Sequence, residues 1–342
     1  MDGDRQLRGL PPGLGRGDPL TEVARIDRLI GDEYRFLVCE RAGWSLAAGP
    51  QDLELVAHAL RVLLHTQTLG DFRDEYRALV ACQHPDGGWA PESDAPESTV
   101  WVSAFCALML IRGNRVLAED GLAASVRRAV DYFLATQEPD GRWVDPRWAD
   151  LDTTSHPVSF FNVVLALDER HRRAEVEGAW RRGLGFILEH QDALGGWRDA
   201  NFHPSGVEIT AHLIQDALVA DLVLGERVPG VRQACQKGLA RLRDWQAPDG
   251  SWDDENVDHT MDCTRSSIVV TRILGDDPAT TAAIERGLAW ILASKNPEGW
   301  GDFPGLETNL ERTCDGIDAL CKYRAFRAAD PKAAVRLWGY VP

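Results

Sequence analysis

The chain has 342 residues, of which 44% are hydrophobic, 26% charged and 8% aromatic. That is ample for one large folded domain and too apolar for general disorder. Its 37 Lys and Arg stand against 53 Asp and Glu, a net charge of −16, which excludes a general nucleic-acid binder. Any anionic substrate then needs a local cluster of Arg or Lys working against the global field. Residues 1–18, rich in Gly, Pro and charge, read as a tail and lack the apolar core of a signal peptide. Seven cysteines are scattered without a CxxC pair or framework spacing, as expected of reduced thiols. No apolar run approaches the ~18–20 residues of a membrane span. A soluble, cytoplasmic protein with no integral membrane segment is expected.

Beyond the tail the chain repeats itself. Gln83–Trp89, Gln137–Trp143, Gln191–Trp197 and Gln246–Trp252 share one turn, and Lys295–Trp300 is a worn fifth copy. Successive tryptophans are 54, 54, 55 and 48 residues apart, a period that marks a repeat architecture. Three copies hold Pro-Asp-Gly, where Pro presets φ and Gly accepts positive φ. The Trp supplies an apolar plate to lock the turn. An amphipathic helix runs into the Gln, as over 126–136 and 232–245. After the Trp comes a polar stretch, then a helix apolar nearly all round, as over 100–111 and 155–167. Helices of that second kind are buried. With a first hairpin over roughly residues 20–68 that lacks the tryptophan turn, the pattern gives about twelve helices in six hairpins. Residues 19–342 then form a single all-α domain, an (α/α)6 barrel. An armadillo-like solenoid is the competing arrangement, but its inner helices would need a solvated face.

The polar stretches all fall at one end of such a barrel and are rich in acids: Asp150, Asp152, Glu208, Asp258, Asp262, Glu307, Glu311 and Asp315. Any one of them can serve as a helix N-cap. Together they make an acid-rich rim over an apolar pocket. A carboxylic acid buried beside such a pocket resists ionisation and can act as a general acid. A polyene fits that chemistry, because protonating an alkene needs a strong acid in a dry cavity and the cation formed needs aromatic faces. Trp101, Phe105, Trp148, Phe160, Phe161 and Phe202 are placed for that work, although each can equally be core packing. His156, His203 and His259 lie near enough in sequence to hydrogen-bond an acid.

The Gln-x-x-Asp-Gly-x-Trp turns in this helical setting resemble the QW repeats of triterpene and class II diterpene cyclases. Related barrels occur in the β subunits of protein prenyltransferases. The resemblance covers roughly residues 20–340. Asp150-Leu-Asp-Thr-Thr154 resembles the DxDD general-acid motif of class II cyclases. It is closer still to the DxDTT variant of sesquiterpene cyclases that form drimane diphosphates. The likeness implies that Asp152 protonates the terminal isoprene double bond and that Asp150 supports it. Thr153 stands where the diterpene enzymes carry their last Asp. Met261–Thr264 resembles the Asp-Cys-Thr acid motif of oxidosqualene cyclases, so Asp262 is a second candidate acid, or a neighbour that tunes Asp152 or binds metal-diphosphate.

The substrate implied is a linear prenyl diphosphate. Farnesyl diphosphate giving a bicyclic drimane diphosphate comes first, and geranylgeranyl diphosphate giving a labdane is the variant. No DDxxD ionisation motif occurs, so the diphosphate should be retained. Bacterial class II cyclases usually pair this barrel with a second helical domain, for which this length leaves no room, and an open mouth without that companion points to a homodimer. Without that domain's acidic motif, Mg²⁺ accompanying the diphosphate falls to Glu307, Glu311 and Asp315. Arg147, Arg198, Arg265 and Arg312 in the rim stretches are expected to hold the diphosphate, with Lys322 one to two turns into the last inner helix. Two other readings remain open. One is a zinc-dependent prenyltransferase β-like subunit using His259, Cys263 and Cys314. The other is a non-catalytic barrel that binds an isoprenoid or a partner.

Overall fold

The computed structural model describes residues 19–66, 72–167, 170–199 and 206–328. Within them, helices alternate between two concentric rings. The outer ring holds α1 (Pro19–Cys39), α3 (Arg73–Ala81), α5 (Asp120–Thr136), α7 (Arg173–Glu189), α9 (Val231–Trp245) and α11 (Pro278–Ala293). The inner ring holds α2 (Leu53–Thr66), α4 (Val100–Leu117), α6 (Asp150–Ala166), α8, α10 (Val257–Leu274) and α12 (Leu310–Arg327). Helix α8 is α-helical over Val207–His212, π-helical over Leu213–Leu218 and α-helical again over Val219–Val223. Each inner helix packs on the next, and α12 returns to α2. Outer helix α1 lies against α12, where Tyr323 donates to Glu22 at 2.9 Å and Arg327 pairs with the same carboxylate at 3.0 Å. The ring is therefore closed, as a toroid and not a solenoid. Helix α4 is long and apolar enough to cross a membrane by length and composition, but it is a largely buried stave of this inner ring.

The repeated turns join neighbouring hairpins through a fixed set of hydrogen bonds. The side-chain amides of Gln83, Gln137, Gln191 and Gln246 each donate twice. One bond goes to the Gly carbonyl of the same turn at 2.8–3.0 Å. The other goes to a carbonyl on the following outer helix (Ser125, Ala179, Ala234 or Ala283) at 2.9–3.0 Å. The Trp indole N–H points back to the preceding outer helix, donating to Leu79, Phe133, Ile187, Leu242 or Ile291. In the worn copy Lys295 replaces Gln and pairs with Glu33 of α1 at 2.6 Å, across the ring closure. The first hairpin does contain a lock, contrary to expectation: Trp44 is fully buried and donates to Leu37 at 3.0 Å without a Gln-to-Gly turn.

The backbone N–H of each repeat tryptophan is taken by a hydroxyl on the inner helix that follows. The acceptors are Ser103, Thr154, Thr210, Thr260 and Thr313, at 2.7–3.3 Å. Thr154, the last residue of the Asp150–Thr154 motif, is thus a structural anchor. These five bonds hold five inner helices at one height along the barrel axis.

Close approach requires glycine in the turn. Gly141 has φ +98°, and a Cβ there would lie 2.5 Å from the Arg182 carbonyl oxygen. Gly141→Ala should lower stability by about 1–3 kcal/mol from backbone strain alone, read by urea or thermal unfolding. Gly121→Ala, in α5 with nothing within 4 Å of a new Cβ, should be neutral or stabilising by up to ~1 kcal/mol. Equal effects at the two sites would contradict this account of the turn.

Candidate active site

Counting from the hydroxyl anchors orders the interior of the barrel into layers. Two residues before the anchors stand Trp101, Asp152, Glu208, Asp258 and Glu311, and Glu54 of α2 joins them at the mouth. Two residues after the anchors stand Phe105, His156, His212, Asp262 and Asp315, with His58 of α2 beneath Glu54. Each inner helix thus contributes one residue to each layer, four positions apart and so on one helix face. The second layer closes on itself. His58 lies 5.5 Å from Phe105, Phe105 4.8 Å from His156, and His156 5.9 Å from His212, between ring centroids. His212 is bonded to Asp262 at 3.0 Å, Arg265 links Asp262 to Asp315, and Asp315 lies 3.4 Å from His58.

His212 sits between the two candidate acids. Its Nδ1 is 3.0 Å from Asp152 Oδ1 and its Nε2 is 3.0 Å from Asp262 Oδ2. Burial opposes a charge on the ring, but the Asp262 and Asp152 carboxylates outweigh it and raise His212 well above its ordinary pKa. Near neutrality it is an imidazolium that donates to both acids. Asp262 is also buried, which favours its neutral form, yet the Arg265 guanidinium and His212 hold it below the usual carboxylate range. Asp262 therefore stays ionised. Asp152, 4% exposed, lies beside both His212 and the unpaired face of His156, whose Nε2 is 3.8 Å away. Burial lowers His156 to about 4, so this ring is neutral.

The two sides of the interior differ in character. Around Asp152 and His156 the walls are aromatic. Trp101 packs edge-on to His156 at 4.2 Å and stacks on Trp148 at 4.7 Å, while Phe105 lies 5.7 Å from Trp101. Trp148, 38% exposed, forms the lip. On the far side the walls are ionic. Arg265 pairs with Asp262, Asp315 and Asp318, Arg61 with Asp315, and Arg312 with Asp258 and Asp315. Lys322 bonds Asp318 at 2.7 Å. Cations and acids on this side neutralise one another.

Several predicted residues take other positions. Phe160 and Phe161 are fully buried and pack outward on Phe133 and Trp143, behind the inner helix. Asp150 turns away from Asp152 to pair with Arg142 in the tryptophan turn at 3.1 Å. Thr153 is buried, and its hydroxyl has no hydrogen-bond partner among the described residues. Arg147 is folded onto Asp145, and exposed Arg198 lies over the Trp245 ring at the end of outer helix α9. Arg265, Arg312 and Lys322 are committed to the ionic wall, and Lys322 lies three turns into α12, deeper than expected. Among the described residues, no cluster with metal-ligand spacing unites Glu307, Glu311 and Asp315: Asp315 is bound by arginines and Glu307 is exposed. The zinc set does not form either. His259 bridges Asp253 and Glu208, at 2.6 and 3.1 Å, and Cys263 and Cys314 are free buried thiols. Phe202 and His203 lie outside the described residues. Sequence reasoning missed His212, and with it Glu54 and His58 of α2.

Residues 98–262 match the family described as the squalene-hopene cyclase C-terminal domain. A drimenyl diphosphate synthase from Streptomyces showdoensis is 24% identical over 223 residues, covering 65% of this chain and 39% of the relative. The chain thus spans about two-fifths of that relative's length. Among solved structures, the type II terpene cyclase MstE from Scytonema aligns with a TM-score of 0.64 at 15% identity, over 89% of this chain and 99% of that one. A polysaccharide lyase aligns equally well, with a TM-score of 0.65 at 10% identity over 90% and 99%. The barrel alone therefore does not select a chemistry.

The two histidines should titrate in opposite senses, as NMR of the imidazole resonances can follow. His212 should remain protonated as pH rises past about 6.5, and His156 should stay neutral down to about pH 5. For His156 the folded value lies below the unfolded one, so stability falls as pH drops from about 6.5 towards 4. The pairing of His212 stabilises fully below about 6.5 and is lost only as pH rises through its elevated value. A His212 that titrates near 6.5 would contradict the bridge.

Proposed function

We propose that this chain, whose residues 98–262 match the squalene-hopene cyclase C-terminal domain, is a class II terpene cyclase that cyclises a linear prenyl diphosphate by protonation and keeps the diphosphate in the product. The observation that carries the proposal is the His212 bridge. Of its two acids, Asp262 is held ionised by Arg265 and His212, whereas Asp152 faces the aromatic side beside His156 and Trp101 and is assigned as the proton donor on that placement. An acid that gives its proton to an alkene becomes a carboxylate. The His212 imidazolium, already donating to Oδ1, stabilises that carboxylate as it forms. The alkene proton adds to the less substituted carbon, and positive charge develops on the tertiary carbon beside it. Trp101, Phe105 and Trp148 offer π faces to that charge. His156, being neutral, adds no opposing positive charge there. Internal double bonds close the rings in turn, and loss of one proton ends the sequence, so substrate and product are isomers.

Farnesyl diphosphate giving a drimane-type diphosphate is the preferred substrate and product. The Asp150–Thr154 motif and the likeness to a drimenyl diphosphate synthase support it. Incubation with farnesyl diphosphate, then phosphatase treatment and mass spectrometry, should yield a bicyclic C15 alcohol. Asp152→Asn should abolish it without unfolding the protein. His212→Gln should lower kcat by about 10²-fold or more. Turnover of geranylgeranyl diphosphate alone would correct the chain length, and no turnover of either by folded protein would overturn the cyclase reading.

A further inference from the structure

The mouth layer contains five carboxylates: Glu54, Asp152, Glu208, Asp258 and Glu311. Asp152 faces His212, Glu208 faces His259, and Asp258 and Glu311 both face Arg312. Glu54 and Glu311 share a corner with His58, and one donor atom from each lies within 4.8 Å of the others. Arg312 reaches Glu311 at 2.9 Å from the rim, and Glu54 accepts the Trp101 indole N–H at 3.0 Å.

His58 makes this corner more than an acidic patch. Its side chain is more than nine-tenths buried, and its Nε2 has no hydrogen-bond partner among the described residues. The other ring nitrogen, Nδ1, lies 3.4 Å from Asp315 and 3.3 Å from the Arg61 guanidinium. In the tautomer whose Nδ1–H faces Asp315, the free Nε2 carries the lone pair, the arrangement that orients metal-binding histidines. The Trp101 N–H on Glu54 orients one carboxylate in the same way. Among the described residues, the other two clusters with ligand spacing, Asp152–His156–His212 and Glu208–His212–Asp262, both depend on His212. Both of its nitrogens are already engaged.

We propose that Glu54, His58 and Glu311 form a divalent-cation site at the barrel mouth, with the cation presenting its remaining coordination positions to the substrate's diphosphate. Two carboxylates and one imidazole suit Mn²⁺ or a similar first-row ion. These residues fit a metal where the expected trio of Glu307, Glu311 and Asp315 does not. The site answers a charge problem, since the buried arginines of the far wall are already matched by acids. It also lies beside Trp101, so a diphosphate held there leaves the prenyl chain to run past the aromatic wall towards Asp152. The metal site rests on these three side chains alone, and its use for the diphosphate rests on the cyclisation reading.

The test is Mn²⁺ binding to the full chain without substrate, read by loss of the free-ion electron paramagnetic resonance signal. Wild type should bind one Mn²⁺, and Glu311→Gln and His58→Gln should each weaken it about tenfold or more. Glu307→Gln, an exposed acid of the same rim, should leave it unchanged, and circular dichroism checks that each variant folds. Inorganic pyrophosphate should bind about tenfold tighter with Mn²⁺ present in wild type and not in Glu311→Gln. No Mn²⁺ binding, or binding that all three variants retain, overturns the site. Mn²⁺ binding without coupling to pyrophosphate overturns its role. Neither result depends on turnover of farnesyl diphosphate, which tests the cyclase reading separately.

Discussion

The bond from each tryptophan amide to the Ser or Thr hydroxyl of the next inner helix fixes the interior of this barrel. A helix can slide along its axis without losing its apolar face, so burial alone does not determine its height. The amide–hydroxyl bond does, because a buried N–H left unpaired costs about 1–3 kcal/mol. Once the heights are fixed, residues two before and two after each anchor fall into common layers. Asp152 reaches His212 on the neighbouring stave, and His212 reaches Asp262 on the next, only because the three staves hold their register.

The layers then impose a problem of charge. Five carboxylates around one mouth repel one another in a low dielectric, and each must find a proton or a cation. The fold answers differently around the circumference. Arginines and a lysine neutralise the far wall, and imidazolium His212 spans Asp152 and Asp262. Among the described residues, the aromatic wall beside Asp152 carries the neutral ring of His156 in place of a cation. The barrel is therefore an ionic half facing an aromatic half, with Asp152 at the seam between them.

The toroid was legible in the sequence because its signal is periodic: a Gln-to-Trp turn every 48 to 55 residues, alternating amphipathic and apolar helices, and a Gly that only a close turn requires. The Asp150–Thr154 motif was legible as a motif, but only the structure separates its members. Asp152 enters the interior, Thr154 anchors the turn and Asp150 faces Arg142. Phe160 and Phe161 misled because a helix apolar on every side does not reveal which face lines the bore. Arg265, Arg312 and Lys322 misled because acids match each of them, some on the same helix (Asp262, Asp315 and Asp318) and some on a neighbouring one (Asp315 and Asp318 for Arg265, Asp258 for Arg312). His212 carried a usable signal, since it stands two residues after Thr210 as His156 does after Thr154. Reading that signal required knowing that the hydroxyl, and not the tryptophan, sets the register.

Protonation by Asp152 with the diphosphate retained is tested most directly by running the reaction in D₂O and analysing the intact product. The carboxyl proton exchanges with solvent, so one deuteron should be delivered to the ring carbon that was the terminal alkene, and one hydrogen lost at the last step. The account predicts a product diphosphate one mass unit heavier than the substrate, with no pyrophosphate released. An unlabelled product accompanied by free pyrophosphate would mean that the substrate ionises instead, and would contradict it.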